Sequence, residues 1–136
     1  MTLSLAALLA AILLFIFAIF HAVLALGAPL AAFAWGGQAP AGPLPQRLRT
    51  GSAILSPFLA AMAALLLIRG GWIYPELAFE LTWAVWAIFL FVVTQMFGAL
   101  RSNSGREKRV MGPLYAAAAI LCAIVGYGGI GGLTAG

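Results

Sequence analysis

His21 is the residue of this chain with the clearest chemical potential, because it is the only histidine and lies in a run from Leu3 to Trp35 that carries no charge. An ionisable side chain inside a membrane is costly and usually faces the interior of a helix bundle or a wet cavity. His21 therefore has two interpretations. It is either a group that handles protons or contacts a ligand, or a neutral imidazole that hydrogen-bonds another helix.

The depth of His21 along its apolar run indicates which side chains can reach it. Counted from the starts of the first and third apolar runs, His21 and Gln95 lie at the same level, about 27 Å along a helix. The first and third crossings of a membrane have the same direction. We therefore predict Thr94 or Gln95 as the partner of His21, and not Glu80, which lies near the other end.

Glu80 is the second intramembrane polar candidate, with Glu76 four residues before it. The two carboxylates can attract cations to an outer vestibule or relay protons. The alternative is structural, with Glu76 in the interface and Glu80 either reaching toward the interface or meeting Arg69 in the preceding turn.

No catalytic or metal-binding motif accompanies these residues. The sequence has no H-E-x-x-H, Cys-x-x-Cys, Walker or G-x-S-x-G pattern, and Cys122 and His21 are each the only residue of their type. We predict no catalytic residues, no metal site and no cofactor.

The elements that position these side chains are membrane-spanning helices. Of the 136 residues 65% are hydrophobic and 7% are charged, whereas soluble domains are about half apolar and about a quarter charged. A soluble globule of this length needs more polar residues to cover its surface. The composition predicts a single integral membrane domain, residues 1–136, that is all-α and forms a four-transmembrane-helix bundle.

Four apolar runs set the predicted boundaries, at about 3–26, 52–68, 77–100 and 110–128. The first run is longer than one crossing of a hydrocarbon core about 30 Å thick. Pro29 lacks an amide proton, so we predict a kink in the first helix near Gly27. Residues 28–35 are then an interfacial piece, a re-entrant piece or part of a tilted first helix.

Positive charges predict the orientation. Four crossings place the loops at 36–50 and 101–109 on one side, together with six basic residues, and leave only Arg69 on the other. Short loops rich in Lys and Arg face the cytoplasm, so both termini are predicted on the non-cytoplasmic side. The six residues either fix this topology or bind lipid head groups; they are Arg47, Arg49, Arg101, Arg106, Lys108 and Arg109.

Gly128 and Gly132 have the G-x-x-x-G spacing that permits close helix packing in membranes. The other glycines around them also fit a frayed terminus. Both interpretations remain open at this point.

Two stretches resemble an uncharacterised group of small bacterial four-helix integral membrane proteins. The first runs from Ala28-Pro29-Leu30 through Trp35-Gly36-Gly37 to the segment 44–52, and the second is the segment 101–113. The resemblance implies a location in the bacterial inner membrane and implies no activity.

Three classes of function are compatible with these residues. The first is a non-enzymatic subunit, as a homo-oligomer or as an accessory part of a larger membrane complex. The second is a small oligomeric transporter or channel, proton-linked through His21, and the third is a membrane enzyme. The expected partners are the lipid bilayer and other membrane subunits, with no role for nucleic acid.

Overall fold

The computed structural model describes residues 2–39 and 42–130, with side chains described up to residue 128. Within this part the chain is all-helical, with 82% of residues in helices and no strand. The four α-helices are α1 (Leu3–Ala25), α2 (Gln46–Arg69), α3 (Thr82–Leu100) and α4 (Gly105–Ile130). Each is long and apolar enough to cross a bilayer, α3 together with the 3₁₀ turn that precedes it from Phe79, which confirms the predicted all-α bundle of four spanning helices.

The helices pack in the order α2, α1, α4, α3. Helix α1 lies between α2 and α4, and α3 packs mainly on α4. Small side chains such as Ala6, Ala10 and Ala18 are buried on α1, and Ala118 is buried on α4. Small residues allow helix backbones to approach closely in lipid, where packing rather than water exclusion drives association. Helices α2 and α3, at the two ends of this order, have little contact and leave a cleft between them.

Helix α1 ends close to the predicted kink. The amide of Gly27 donates to the carbonyl of Leu24, and the amide of Ala28 donates to that of Val23. This pair of bonds is the Schellman arrangement, which requires a residue at positive φ, here Gly27 at 101°. Residues 28–39, the linking segment, contain two short 3₁₀ turns, Ala31–Phe33 and Trp35–Gly37, and therefore do not continue the first helix.

Three helix starts differ from the predicted ones. Helix α2 begins at Gln46 rather than at 52, and α4 begins at Gly105 rather than at 110. Both extensions consist largely of polar residues. The helices start earlier than predicted because their hydrogen bonds continue beyond the apolar run that marks the hydrocarbon core. Helix α3 begins later, at Thr82 rather than at 77, because the residues after Pro75 form two 3₁₀ turns.

The linking segment lies at the end of the bundle that carries the six basic residues, and we call this end the basic end. There the amide of Asn103 donates to the carbonyl of Gly36 at 3.1 Å, and the Ser104 hydroxyl donates to the carbonyl of Ala32. A Cβ at Gly37 would lie 2.7 Å from the amide nitrogen of Ser104, so only glycine permits this approach. The linking segment is thereby docked on the loop between α3 and α4.

Candidate functional site: a polar cavity at the basic end

A cavity of about 530 Å³ occupies the cleft between α2 and α3 at the basic end. Its floor consists of buried residues from α1 and α4, and its mouth consists of exposed residues from α2 and α3. The linking segment closes one side. The residues that line it are His21, Phe33, Ala34, Trp35, Gly36, Gln38, Gly51, Ile54, Leu55, Phe58, Thr94, Gln95, Gly98, Ala99, Glu107 and Tyr115.

His21 lies in the floor of the cavity, with 4% of its surface exposed. Its Nδ1 is 3.1 Å from the Ser52 Oγ, and the Trp35 indole N–H donates to the same Oγ at 3.0 Å. Since an indole can only donate, Ser52 accepts from Trp35, and its own proton is available to Nδ1. In that arrangement Nε2 carries the ring proton, and it has no hydrogen-bond partner in the described part of the chain.

The partner of His21 differs from the predicted one. Ser52 bonds the imidazole, whereas the Thr94 hydroxyl donates to the carbonyl of Leu90 within its own helix at 2.9 Å. Thr94 and Gln95 nevertheless line the same cavity as His21. The three side chains therefore lie at a similar depth along the bundle, as predicted. The hydrogen bond to His21, however, comes from Ser52 of α2, the antiparallel neighbour of α1.

Trp35 is held in an unusual backbone conformation. Its φ is 57°, and Gly36 and Gly37 follow at 65° and 71°. A bulky residue at positive φ is strained and persists only where surrounding contacts fix it. Here the indole bonds Ser52 and lies directly over Gly51, where an added Cβ would be 2.7 Å from the ring.

Glu107 is a buried acid that the sequence analysis did not single out. Its side chain is 5% exposed and lines the cavity. The Ser102 hydroxyl donates to Oε2 at 2.7 Å, and the amide of Gly36 donates to Oε1 at 3.4 Å. No basic side chain pairs with Glu107 in the described part of the chain. The available signal was that Glu107 is the single acid among four basic residues of the segment 101–109.

Glu80 is not part of this site. It is exposed in the 3₁₀ turn Phe79–Leu81, at the opposite end of the bundle, and Glu76 is exposed nearby. Arg69 is 4% exposed, and its Nε has no hydrogen-bond partner among the residues that the structure describes. The predicted contact between Glu80 and Arg69 is therefore not formed among the residues that the structure describes.

Of the predicted glycine pair, Gly128 does not lie on a free packing surface. Gly128 is buried inside the bundle, where an added Cβ would lie 2.9 Å from the Leu3 Cδ1 of α1. Gly132 lies outside the described residues. The close packing expected at Gly128 is therefore a contact between α4 and α1 of the same chain.

The six basic residues have different surroundings. The Arg49 Nε donates to the carbonyl of Ala25 at 3.1 Å and so caps the C-terminus of α1. The Arg109 Nε donates to the carbonyl of Gly105, one turn earlier in α4, and the Arg101 guanidinium lies 5.9 Å from the centre of the Phe97 ring. The remaining three are exposed at the surface of the basic end: Arg47, Arg106 and Lys108.

The Ser52–His21 pair has the residue types of a nucleophile and its base, but its surroundings differ from those of a catalytic pair. The Ser52 side chain is 0% exposed, and its Oγ already accepts the Trp35 indole proton. A substrate has no access to this hydroxyl in the structure. Within residues 2–39 and 42–130, no three acids, cysteines or histidines are placed to hold a metal ion.

The fold and the cavity define a small multi-pass helical membrane protein with a polar site that opens between two of its spanning helices. No protein-family model, curated protein or solved structure matches the chain.

Proposed function

We propose that this chain is a non-enzymatic subunit of a membrane assembly in the bacterial inner membrane, either a homo-oligomer or an accessory part of a larger complex. The observation that carries the proposal is the open face between α2 and α3. Helices α1 and α4 cover each other in the middle of the bundle, whereas α2 and α3 leave polar groups at the mouth of a cleft.

Gln95 is a polar residue of this face whose side chain lacks a hydrogen-bond partner within the described part of the chain. This side chain is half-buried at the cavity. An amide without a partner in a bilayer costs several kcal/mol, because lipid tails offer neither donors nor acceptors. A helix of a neighbouring subunit can supply the missing bonds.

Thr94 and Gly98 favour a helix as that neighbour. They are exposed one turn apart on α3, which is the spacing of the small-residue motifs at helix contacts in membranes. A Cβ added at Gly98 would meet no atom within 4 Å, so the space over this glycine is open. Another backbone can approach α3 closely here without displacing any side chain of the same chain.

Cysteine cross-linking in native membranes tests the proposal. In a Cys122→Ala background, Gly98→Cys places a thiol on the proposed surface, and Ile120→Cys places one on α4, where the side chain is 62% exposed. We expect a disulfide-linked homodimer, or a link to another membrane protein, from Gly98→Cys and none from Ile120→Cys. Equal cross-linking of the two variants, or none from either, contradicts the proposal.

Transport is the second candidate, and the shared cavity of His21 and Gln95 is the observation that favours it. Toward the opposite end, however, the bundle is filled by fully buried apolar side chains such as Leu14, Leu66 and Val85. Proton flux into liposomes, measured for the wild type and for His21→Gln, separates the two candidates. A wild-type flux that is lost with His21→Gln would favour proton-linked transport over the subunit role.

A further inference from the structure

The most unusual electrostatic feature of the cavity is the environment of Glu107. A carboxylate that is 5% exposed normally has a cationic partner, because burial removes the water that stabilises its charge. Glu107 has two hydrogen bonds, from Ser102 and from the amide of Gly36, and no ion pair in the described part of the chain. Two neutral donors offset only part of the cost of burying a charge.

The basic residues nearby are directed elsewhere. Arg49 bonds the end of α1, Arg101 lies against the Phe97 ring, and Arg109 bonds a carbonyl of its own helix. The remaining cations of the basic end are exposed at the surface and form no ion pair with Glu107 in the described part of the chain. The negative charge at Glu107 is therefore available to an occupant of the cavity.

The rest of the lining adds aromatic faces to this negative charge. Trp35, Phe33 and Tyr115 line the same cavity as Glu107. An aromatic face attracts an organic cation through its ring quadrupole, and the attraction is larger where water is excluded. The volume of about 530 Å³ is within the range of small-molecule sites, about 300–1,000 Å³.

The mouth of the cavity indicates the route of entry. Ile54 is 58% exposed and Phe58 is 60% exposed, and both lie on the lipid-facing side of α2. A molecule that enters between α2 and α3 must first dissolve in the bilayer. The exposed Arg and Lys residues repel hydrophilic cations that approach from the water at the basic end.

We propose that this cavity binds a lipophilic organic cation, with its positive charge at Glu107 and its apolar body between Trp35 and the mouth. An anion in the same place would face a carboxylate, and a neutral amphiphile would leave the carboxylate unpaired. The site uses the floor of the cavity and does not require a second subunit, whereas a neighbouring helix packed on Thr94 and Gly98 would narrow its mouth.

Two probes of equal shape and opposite charge test the site. Tetraphenylphosphonium and tetraphenylborate are titrated into the full-length protein in a neutral detergent, and binding is followed by calorimetry. We expect saturable binding of the phosphonium at one site per chain, and only non-saturable partitioning of the borate. Saturable borate binding of similar affinity, or no saturable phosphonium binding, overturns the proposal.

Glu107→Gln isolates the role of the charge. The amide has the same shape, its oxygen can still accept from Gly36, and its nitrogen can donate to the Ser102 hydroxyl. We expect the phosphonium affinity to fall by about tenfold or more, as for other truncated buried charge pairs. Glu80→Gln, which removes an exposed acid at the opposite end, is the matched control and leaves the affinity unchanged. Unchanged affinity in folded Glu107→Gln refutes the assignment.

A second variant tests the site without altering the buried acid. Ile54→Trp enlarges a side chain that lines the cavity at its mouth and takes up space that the apolar body of the cation would occupy, whereas Ile120→Trp makes the same change on the lipid-facing side of α4. Phosphonium affinity falls only for Ile54→Trp if the cation occupies this cavity. Equal affinities for the two variants place the bound cation elsewhere and overturn the proposal, whether or not Glu107→Gln folds.

Discussion

Ser52→Ala is the substitution with the most sharply defined consequence for stability. The Ser52 Oγ is the shared partner of the Trp35 indole and the His21 Nδ1, at 3.0 and 3.1 Å. Its removal leaves the Trp35 indole N–H and the His21 Nδ1 without this partner, and His21 is only 4% exposed. Each group left unsatisfied on burial costs about 1–3 kcal/mol. We expect the free energy of unfolding to fall by about 2 kcal/mol or more.

Ser56→Ala provides a control on the same helix, one turn later. The Ser56 hydroxyl donates to the carbonyl of Ala18 at 2.7 Å, so this variant also deletes one bond between α2 and α1. The Ala18 carbonyl also accepts a backbone hydrogen bond within α1. When the Ser56 hydroxyl is removed, this carbonyl keeps that bond, so no buried polar group is left unpaired. A single interhelical bond of this kind is worth about 0.6 kcal/mol on average in a membrane protein.

The measurement is unfolding of the purified protein in mixed micelles by titration with a denaturing detergent, followed by far-UV circular dichroism. The transition midpoint of Ser52→Ala should move well below that of Ser56→Ala at an unchanged slope. In a Trp35→Phe background the indole donor is absent, so Ser52→Ala should cost less than in the wild type. Equal destabilisation by the two serine variants would refute the shared-partner argument.

Two further predictions concern other contacts, and a third concerns the orientation of the chain. Gly128→Leu should destabilise the monomer itself, seen as a lower midpoint in the same titration, because the new side chain collides with Leu3; an unchanged midpoint would contradict this packing. Arg49→Gln should lower the free energy of unfolding by about 1 kcal/mol in the same titration, since α1 loses a charged C-terminal cap. Arg47→Gln, at an exposed position of the same turn, should have little effect, and equal shifts would argue against the cap. Reporter fusions at the C-terminus should give a non-cytoplasmic signal, and a cytoplasmic signal would disprove the orientation from positive charges.

The architecture could be predicted from the sequence because a bilayer restricts what a chain can do. Backbone polar groups in lipid must bond within a helix, so four long apolar runs predict four helices. The same criterion misplaced the starts of α2 and α4, at Gln46 and Gly105. Hydropathy reports where the hydrocarbon ends, whereas a helix ends where its hydrogen bonds end.

The site was only partly predictable. His21 was found because a lone ionisable group in an apolar run is a strong signal. Ser52 was missed because the depth argument compared helices of the same direction, whereas the end of α1 lies beside the start of its antiparallel neighbour α2. Glu107 was missed because its burial depends on the docking of the linking segment, which no periodic pattern in residues 28–39 encodes.

The packing order of the helices has a consequence for how the chain enters the membrane. Each helix packs most closely on its neighbour in sequence, α1 on α2 and α3 on α4, and the contact between α1 and α4 joins the two halves. Each half is thus a helical hairpin whose connection lies at the basic end, with positive charges in or beside it: Arg47 and Arg49 in the first turn of α2, and Arg101, Arg106, Lys108 and Arg109 around the start of α4. Positive charge can therefore orient each hairpin independently during insertion. Two fragments, divided in the turn between Gly70 and Pro75, should insert separately and reassemble in the bilayer when they are produced together.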